Sequence, residues 1–343
     1  MSITSLVGLA TLSGITAWAL TLSARRYALK SNLLDHPNDR SSHTVPTPRG
    51  GGVAIVAAFL LLTLGLGLTS QIASGLCTAI LGSGLLVATL GFIDDRQHLP
   101  ARWRFLGHLV AAAWVLVWLG PVQPVPILGN DINLGFAALL LAAFYLVWSI
   151  NMFNFMDGID GIASLEAIGV ALGGALVWCL VQPAGDWPLA VLFAACVGGF
   201  LVWNFPPARI FMGDAGSGFL GLIVALLALW SSSTTTHLFW SWFILGGCFM
   251  VDATTTLVRR VRRGERFNVA HRSHAYQYAA RQHRSHKVVT LTVLAINTLW
   301  LTPLAVLVAV RVLDGVAGVL IAYAPLLWLA LHYKAGDRAG QEP

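Results

Sequence analysis

The sequence predicts an all-α protein, built as a polytopic bundle of transmembrane helices. Of its 343 residues, 57% are hydrophobic and only 10% are charged, whereas soluble domains carry roughly 25% charged residues. Apolar stretches recur along the whole chain, and about 20 such residues cross a hydrocarbon core of about 30 Å. The 13 Trp and 34 Gly residues fit the same class, because Trp favours bilayer interfaces and Gly lets helices approach closely.

We predict a single integral-membrane domain over residues 1–343, with 10 to 11 spans. The first stretch is not interpreted as a cleaved signal peptide, because no basic residue precedes it and Arg25 and Arg26 follow it. The predicted spans are Ile3–Leu22, Val53–Leu68, Ile72–Ile93, Phe105–Leu119, Phe136–Met152, Ile162–Val181, Leu189–Trp203, Phe219–Trp230, Phe239–Leu257, Val288–Val310 and Val316–Leu331.

The basic residues indicate the orientation of the chain. All 21 Lys and Arg residues except Arg311 fall in alternate loops or in the C-terminal tail. These alternate loops lie near residues 24–52, 94–104, 153–161, 204–218 and 258–287. Because short cytoplasmic loops are enriched in Lys and Arg, we predict a periplasmic N-terminus and a cytoplasmic C-terminus in a bacterial inner membrane. The net charge of +6 then reflects topology, and no nucleic-acid partner is predicted.

Several acidic residues lie at the cytoplasmic ends of the spans. Ionisable groups at this depth are costly and usually face a cavity or a partner. Converging carboxylates repel one another unless a cation lies among them, and Mg²⁺ takes oxygen ligands and shares its coordination with substrate phosphates. A magnesium site is therefore predicted, although the Asp94-Asp95 pair alone is equally compatible with interfacial charges. The residues are Asp94, Asp95, Asp157, Asp160 and Asp214.

The segment Asn151–Gly161 adds amides to these acids. If it is helical, Asn151, Asn154 and Asp157 line one face, because residues three apart are neighbours on a helix. The glycines at 158 and 161 allow a ligand or a second backbone to approach closely. The segment predicts a polar site, with a structural hydrogen-bond network as the alternative.

A glycine-rich loop enters the eighth span. Asn204-Phe205-Pro206-Pro207 is followed by Phe211-Met212-Gly213-Asp214-Ala215-Gly216, and backbone N–H groups at a helix start attract anions. The loop is not of the Walker type, since no Gly-Lys-Ser/Thr follows. A phosphate cradle is predicted, and helix packing by glycine remains the alternative.

The last cytoplasmic loop contains His271-Arg272-Ser273-His274. Arg offers a planar fork of donors and His can donate or exchange protons, so the loop suits a diphosphate. For the preceding Arg259–Arg263 we favour membrane-surface electrostatics, and His283 and His286 are interpreted as incidental. Arg49, in Pro46-Thr47-Pro48-Arg49-Gly50-Gly51-Gly52, is a further candidate for a phosphate contact.

In this order, the motifs resemble those of the polyprenyl-phosphate N-acetylhexosamine-1-phosphate transferases, glycosyltransferase family 4. That family includes the phospho-N-acetylmuramoyl-pentapeptide transferase of peptidoglycan synthesis. The resemblance extends from about Asp35 to His274. It rests on the Pro46–Gly52 segment, the Asp94-Asp95 pair, the Asn/Asp-Gly segment and Gly213-Asp214.

The resemblance implies an enzyme that transfers a sugar 1-phosphate from a UDP-N-acetylhexosamine to undecaprenyl phosphate and releases UMP. It implies Mg²⁺ as the cofactor, with Mn²⁺ as the substitute, and an active site on the cytoplasmic face. A second copy of the chain, in a homodimer, is a further expected partner, although no residue indicates it. The implied roles are metal binding by Asp214 and Asn154, catalysis by Asp94, Asp95 and Asp157, nucleoside or uracil binding by Phe211, Asp160 and Asn204, and diphosphate or sugar binding by His271, Arg272 and His274.

Two departures from the family pattern narrow the prediction. The last loop has His271-Arg-Ser-His274 where a denser histidine run is common, and Arg96 follows the acidic pair where a third acid is common. Both favour the branch that initiates O-antigen or enterobacterial antigen synthesis, with the muramoyl-pentapeptide enzyme as the alternative.

A CDP-alcohol phosphotransferase is not supported, because the Asp-Gly-x-x-Ala-Arg signature of that class is absent. Here Asp157-Gly158 is followed by Ile159-Asp160. An ion-coupled transporter is the non-enzyme alternative, and it would instead place its acids near the bilayer midplane, between internal repeats of the chain.

Overall fold

The computed structural model describes residues 1–37, 45–97, 99–265 and 271–337. Parts of the predicted cytoplasmic loops, at 38–44, 98 and 266–270, lie outside the described residues. The described chain forms the helices α1 Ile3–Lys30, α2 Val53–Leu68, α3 Ser74–Gln97, α4 Ala101–Leu119, α5 Phe136–Met156, α6 Ile162–Val181, α7 Pro188–Asn204, α8 Asp214–Ser232, α9 Leu238–Leu245, α10 Gly247–Arg262, α11 Ala275–His283, α12 His286–Ile296, α13 Thr302–Ala309 and α14 Gly315–His332.

The predicted all-α membrane class is confirmed. Within the described ranges, seven helices are long and apolar enough to cross a membrane, or eight if a bent pair forms one span. Two shorter apolar helices, α2 and α7, lie between them in the chain. Each predicted span coincides with helical residues in the structure. The number of eleven spans and the orientation of the chain in the membrane remain predictions.

Two of the predicted spans are each divided in the structure. The span predicted at Phe239–Leu257 consists of α9 and α10, which meet at Gly246 with a bend of 70°. The span predicted at Val288–Val310 contains a π-helical turn, Asn297–Leu301, between α12 and α13. Glycine and π-turns are common causes of such interruptions, and the mean hydropathy of each divided span stays high enough to cross a membrane.

Helix α8 lies in the interior of the bundle, packed against α3 and α5. Its residues from Ala215 to Leu229 are all buried. A Cβ on Gly221 would overlap the carbonyl of Ser149 in α5, so the missing side chain permits this close contact. The first residue of α8, Asp214, is therefore held at the centre of one end of the bundle.

Two short antiparallel pairs of strands complete the described structure. β1 (Leu34–Asp35) pairs with β2 (Thr47–Pro48) and closes the loop ahead of α2. β3 (Val125–Ile127) pairs with β4 (Asn130–Ile132) between α4 and α5. The first pair places Arg49 directly after a fixed strand, beside the start of α8.

Candidate active site

Three of the predicted acids meet at one point. Arg49 lies 2.7 Å from Asp95 and 3.0 Å from Asp214 through its Nη2 atom. Arg104 lies 2.5 Å from Asp94 and 3.9 Å from Asp214 through its Nη1 atom. Three carboxylates thus share two guanidinium groups, which leaves one negative charge uncompensated within this cluster. We refer to these five residues as the acid–arginine cluster.

The three acids differ in what they already bind. Asp94 accepts a hydrogen bond from the Leu99 amide at 2.7 Å as well as the Arg104 contact. The side chains of Asp94 and Asp95 are 7% and 9% exposed, whereas that of Asp214 is 25% exposed. Asp214 is therefore the carboxylate that a ligand reaches most easily.

Close packing of α3 on α8 builds the acid–arginine cluster. A Cβ on Gly91 would overlap the backbone of Asp214 and Ala215. Gly213 precedes α8 with φ +79°, a conformation that favours glycine, and a Cβ there would come within 2.7 Å of the Asp95 carboxylate. The glycines next to the acidic motifs thus act by letting two helix ends approach.

The glycine-rich segment before α2 pairs with the loop before α8. The Phe211 amide donates to the Pro48 carbonyl at 2.8 Å, and the Gly51 amide donates to the Phe211 carbonyl at 2.9 Å. Gly52 donates to the Met212 carbonyl at 2.9 Å. This ladder fixes Arg49 over Asp95 and Asp214, and it places Phe211 beside the acid–arginine cluster.

The asparagine and aspartate residues at the end of α5 approach α8 from the other side. The Asn154 amide donates to Ser217 Oγ at 3.2 Å, one turn along α8 from Asp214. Asn151 lies 3.3 Å from His108 Nδ1. Burial raises the pKa of Asp157 well above its ordinary value, and the nearby Asp214 carboxylate adds to the shift. The predicted grouping of this segment with Asp214 is present.

Asp160 and Asn204 take part in internal hydrogen bonds. Asp160 Oδ2 accepts from the Ala208 amide at 3.0 Å, and the Asp160 carbonyl accepts from Thr290. Asn204, which is 3% exposed, accepts from the Gly161 amide and donates to the Ile210 carbonyl, both at 3.0 Å. Their side chains therefore join the α5–α6 turn to the α7–α8 loop, and their contact with a nucleoside stays a prediction.

The segment His271–His274, called here the histidine loop, is attached to this site through Asp252 of α10 and through Tyr276. Asp252 accepts from the amides of Ala275 and Tyr276 at 3.0 and 2.9 Å, and lies 3.3 Å from His274 Nδ1. The Tyr276 hydroxyl donates to the Phe155 carbonyl at 3.1 Å. His274 is buried, so its contact with a sugar or diphosphate remains a prediction while its hydrogen bonding to Asp252 is structural.

His271 stacks on His274 with ring centroids 4.8 Å apart. Its Nδ1 lies 2.9 Å from Ser273 Oγ. Burial lowers the pKa of His271 to about 3, and the neighbouring His274 and Arg260 act in the same direction. The imidazole is thus neutral at physiological pH and can donate or accept a hydrogen bond without carrying charge.

A cavity of about 660 Å³ opens between the Asp160 turn and the α11–α12 hairpin. Its lining carries one acid, Asp160, and a surplus of cationic side chains, which suits an anionic ligand of nucleotide size. The cationic residues are Arg272, Arg281, Arg284 and Lys287.

Three residues of this region were missed or undervalued by the sequence analysis. Arg104 was counted only as a topological charge, Asp252 was not singled out, and His286 was interpreted as incidental. His286 Nδ1 lies 3.3 Å from Asp160 Oδ2. An acid inside an otherwise apolar span, as Asp252 is, was the available signal for one of them.

The donor set agrees in chemistry with a magnesium ion. Among the described residues, no three His, Cys, Asp or Glu side chains are grouped as metal ligands. Mg²⁺ commonly takes one or two carboxylates and completes its shell with waters and substrate phosphates. Asp214 offers a partly exposed carboxylate, and the Asn154 side chain contacts Ser217, which lies one turn along α8 from Asp214. Such a pair suits Mg²⁺ better than it suits Zn²⁺, which prefers His and Cys.

Comparison with known proteins identifies the family. Residues 77–232 match the model of glycosyl transferase family 4. A probable undecaprenyl-phosphate N-acetylglucosaminyl 1-phosphate transferase of Bacillus subtilis is 31% identical over 82% of this chain and 79% of its own. A decaprenyl-phosphate N-acetylglucosaminephosphotransferase of Mycolicibacterium smegmatis is 30% identical over 97% of this chain and 91% of its own.

The chain belongs to the polyprenyl-phosphate N-acetylhexosamine-1-phosphate transferase family. It is therefore a membrane-embedded phosphotransferase, and the two relatives are named as transferases that act on undecaprenyl phosphate and on decaprenyl phosphate. A phospho-N-acetylmuramoyl-pentapeptide-transferase of Moorella thermoacetica is also similar, at 35% identity over 63% of this chain and 69% of its own. The predicted family is confirmed, while the branch within it is not decided by these relatives.

Proposed function

We propose that the protein transfers an N-acetylhexosamine 1-phosphate from a UDP-sugar to undecaprenyl phosphate. An oxygen of the lipid phosphate attacks the phosphorus that carries the sugar, and the bond from that phosphorus to the UMP oxygen breaks. The products are undecaprenyl-diphosphate-sugar and UMP. The supporting observation is the acid–arginine cluster, in which Arg49 and Arg104 are held beside Asp214 at one end of the central helix.

The charges of this site suit phosphoryl transfer, which depends largely on positioning and charge neutralisation. When bound at Asp214 and Asn154, Mg²⁺ would neutralise charge on the transferred phosphate and its leaving group. Arg49 and Arg104 are the groups that bind phosphate oxygens, and each is already aligned by a carboxylate.

Asp94 acts in this proposal by holding Arg104. Both oxygens of Asp94 already accept hydrogen bonds, from Leu99 and from Arg104. A phosphate monoester has a second pKa near 6, so much of the acceptor is dianionic at neutral pH without a base. Asp95 has a comparable positioning role, because it holds Arg49 and also accepts hydrogen bonds from the first amides of α8.

The donor is proposed to extend from the acid–arginine cluster towards the cationic cavity. Arg272 lines that cavity and lies between His271 and Ser273 in the loop held by Asp252. The diphosphate would contact Arg272 and His271, while the nucleoside lies towards Phe211 and the Asp160 turn. Neutral His271 suits a sugar hydroxyl or amide as well as a phosphate oxygen.

The decisive experiment supplies purified protein with undecaprenyl phosphate, Mg²⁺ and separate UDP-N-acetylhexosamines, and follows UMP release. We expect UMP with at least one of these donors and a diphosphate-linked lipid product. A folded protein that releases no UMP from any of them would overturn the proposal.

We further propose that the product begins an O-antigen or related surface polysaccharide. The relatives that cover most of this chain carry N-acetylglucosamine names, and the muramoyl relative covers less of it. The same assay with UDP-N-acetylmuramoyl-pentapeptide distinguishes the alternative, because UMP release from that donor alone would favour the peptidoglycan enzyme.

A further inference from the structure

The residues that follow α14 return to the cytoplasmic end of α10. Arg259 donates to the Ala335 carbonyl at 2.6 Å and to Asp337 Oδ1 at 2.8 Å. Arg263 donates to the Gly336 carbonyl, and its Nη1 lies 3.4 Å from Asp337 Oδ1. Arg259 lies in the last turn of α10 and Arg263 is the residue that caps it, so both reach the same segment. Arginines that the sequence analysis assigned to membrane-surface electrostatics thus bind the C-terminal segment.

Gly336 joins this segment to the histidine loop. Its amide donates to the Ser273 carbonyl at 2.6 Å. It has φ +78°, and a Cβ at this position would lie 3.0 Å from the Thr256 carbonyl and from Arg259 Cβ. Both the backbone conformation and the available space therefore favour glycine.

Ser273 lies at the centre of the loop that carries the predicted donor contacts. Its hydroxyl is 2.9 Å from His271 Nδ1, and the preceding residue, Arg272, lines the cationic cavity. Asp252 holds the far end of the loop at His274 and the start of α11. The C-terminal segment holds the adjacent residue, Ser273, so two separate elements fix the loop.

We propose that Ala335–Asp337, termed here the C-terminal clasp, is a positioning element for the His271–His274 loop. The clasp holds Ser273, and through it sets the placement of His271 and Arg272. Its effect on the donor rests on the proposed function, whereas its effect on the loop does not. Because a loop ordered in advance loses less entropy on binding, the clasp strengthens binding of the donor without touching it.

The expected size of the effect follows from the exposure of the contacts. Asp337 and Arg259 are 36% and 34% exposed, so their ion pair alone contributes little. The pair acts together with three backbone carbonyl or amide contacts on the same short segment. We expect loss of the clasp to raise the KM for the donor by about threefold to tenfold.

Hydrogen exchange tests the structural part without any substrate. In the full-length protein in detergent, Asp337→Ala should exchange the amides of residues 271–277 about threefold faster or more than wild type does. Asp131→Ala, which removes an exposed acid from β4, is the matched control and should leave these amides unchanged. Unchanged exchange in both Asp337→Ala and Gly336→Ala, with the variants folded, would overturn the clasp.

Kinetics test the functional part. Asp337→Ala should raise the donor KM and leave kcat within about twofold, while Asp337→Glu should restore the donor KM. Faster exchange with an unchanged donor KM would overturn the effect on the donor. Wild-type protein that releases no UMP would instead count against the proposed function, and the exchange result would still decide whether the clasp holds the loop.

Discussion

Asp95 and Asp214 are connected twice, once through the backbone and once through a shared arginine. The Asp214 amide donates to Asp95 Oδ1 at 3.0 Å, and Arg49 lies 2.7 Å from Asp95 and 3.0 Å from Asp214. The Ala215 amide also points to Asp95, at 3.4 Å. A carboxylate of α3 therefore stabilises the start of α8, where the helix dipole favours negative charge. The candidate active site is also the junction of two helices.

Gly91→Ala should separate these helices. The added Cβ would overlap the backbone at Asp214 and Ala215, and overpacking of this kind typically costs about 1–3 kcal/mol. We expect UMP release to fall by about tenfold or more, together with a lower Tm. Gly65→Ala in α2 is the matched control, because a Cβ there meets nothing within 4 Å. Equal behaviour of the two variants would contradict the importance of this contact.

Arg49→Lys should impair activity although it keeps the charge. One ammonium group cannot reproduce a planar guanidinium that lies between Asp95 and Asp214. Hydrogen bonds to charged groups contribute about 1.5–3 kcal/mol, so kcat/KM should fall by about tenfold to a hundredfold. The exposed Arg26, changed to Lys, provides the control. An Arg49→Lys variant with wild-type kcat/KM would remove the phosphate-binding role from this residue.

Removal of divalent cations should abolish UMP release. After chelation by EDTA, addition of excess Mg²⁺ should restore UMP release. Mn²⁺ should substitute for Mg²⁺, since both ions accept oxygen ligands. Asp214→Asn should raise the Mg²⁺ concentration needed for half-maximal rate, because it removes a charged ligand. Asn154→Ala should do the same to a smaller extent. Full activity in EDTA would contradict the metal assignment, and full activity of Asp214→Asn at low Mg²⁺ would contradict the proposed ligand.

His271 should make the stability of the fold depend on pH. Its pKa is lowered to about 3 by burial, whereas an unfolded chain binds this proton near pH 6.5. The unfolded state therefore binds more protons between about pH 3 and 6.5, so stability falls as the pH drops through that range. Between about pH 7.5 and 5, the Tm of wild type should fall further than that of His271→Gln. His36→Gln, at an exposed histidine, should follow wild type, and an identical fall in all three would refute this origin.

The buried pair of Glu166 and Asn297 should matter for stability rather than for the reaction. Asn297 Nδ2 donates to Glu166 Oε2 at 2.6 Å, and the two residues are 1% and 0% exposed. Asn297→Ala would leave a buried carboxyl group without this donor, at a cost of about 1–3 kcal/mol. Thermal unfolding in detergent should show the loss, while Asn130→Ala, at an exposed position of β4, should not. A wild-type Tm for Asn297→Ala would contradict the role of the pair.

The sequence predicted the helical membrane class and the grouping of Asp94, Asp95, Asp157 and Asp214 at one end of the bundle. It did so because apolar run length and the ends of such runs are local properties of the chain. The break at Gly246 and the π-turn at Asn297–Leu301 were not predicted. Both lie inside spans of high mean hydropathy, and hydropathy responds to composition rather than to the direction of a helix axis.

The sequence by itself thus determined the class of protein, the family and most members of its polar site. Only the tertiary structure decided which charges pair: Arg49 with Asp214, Arg104 with Asp94, and Arg259 with Asp337. The first of these pairs joins residues 165 positions apart. Such pairing depends on how closely the helices pack, which glycines such as Gly91 permit, and on where the chain returns after its last span. Span patterns carry no record of these distances, because an ion pair forms only where packing brings two side chains together.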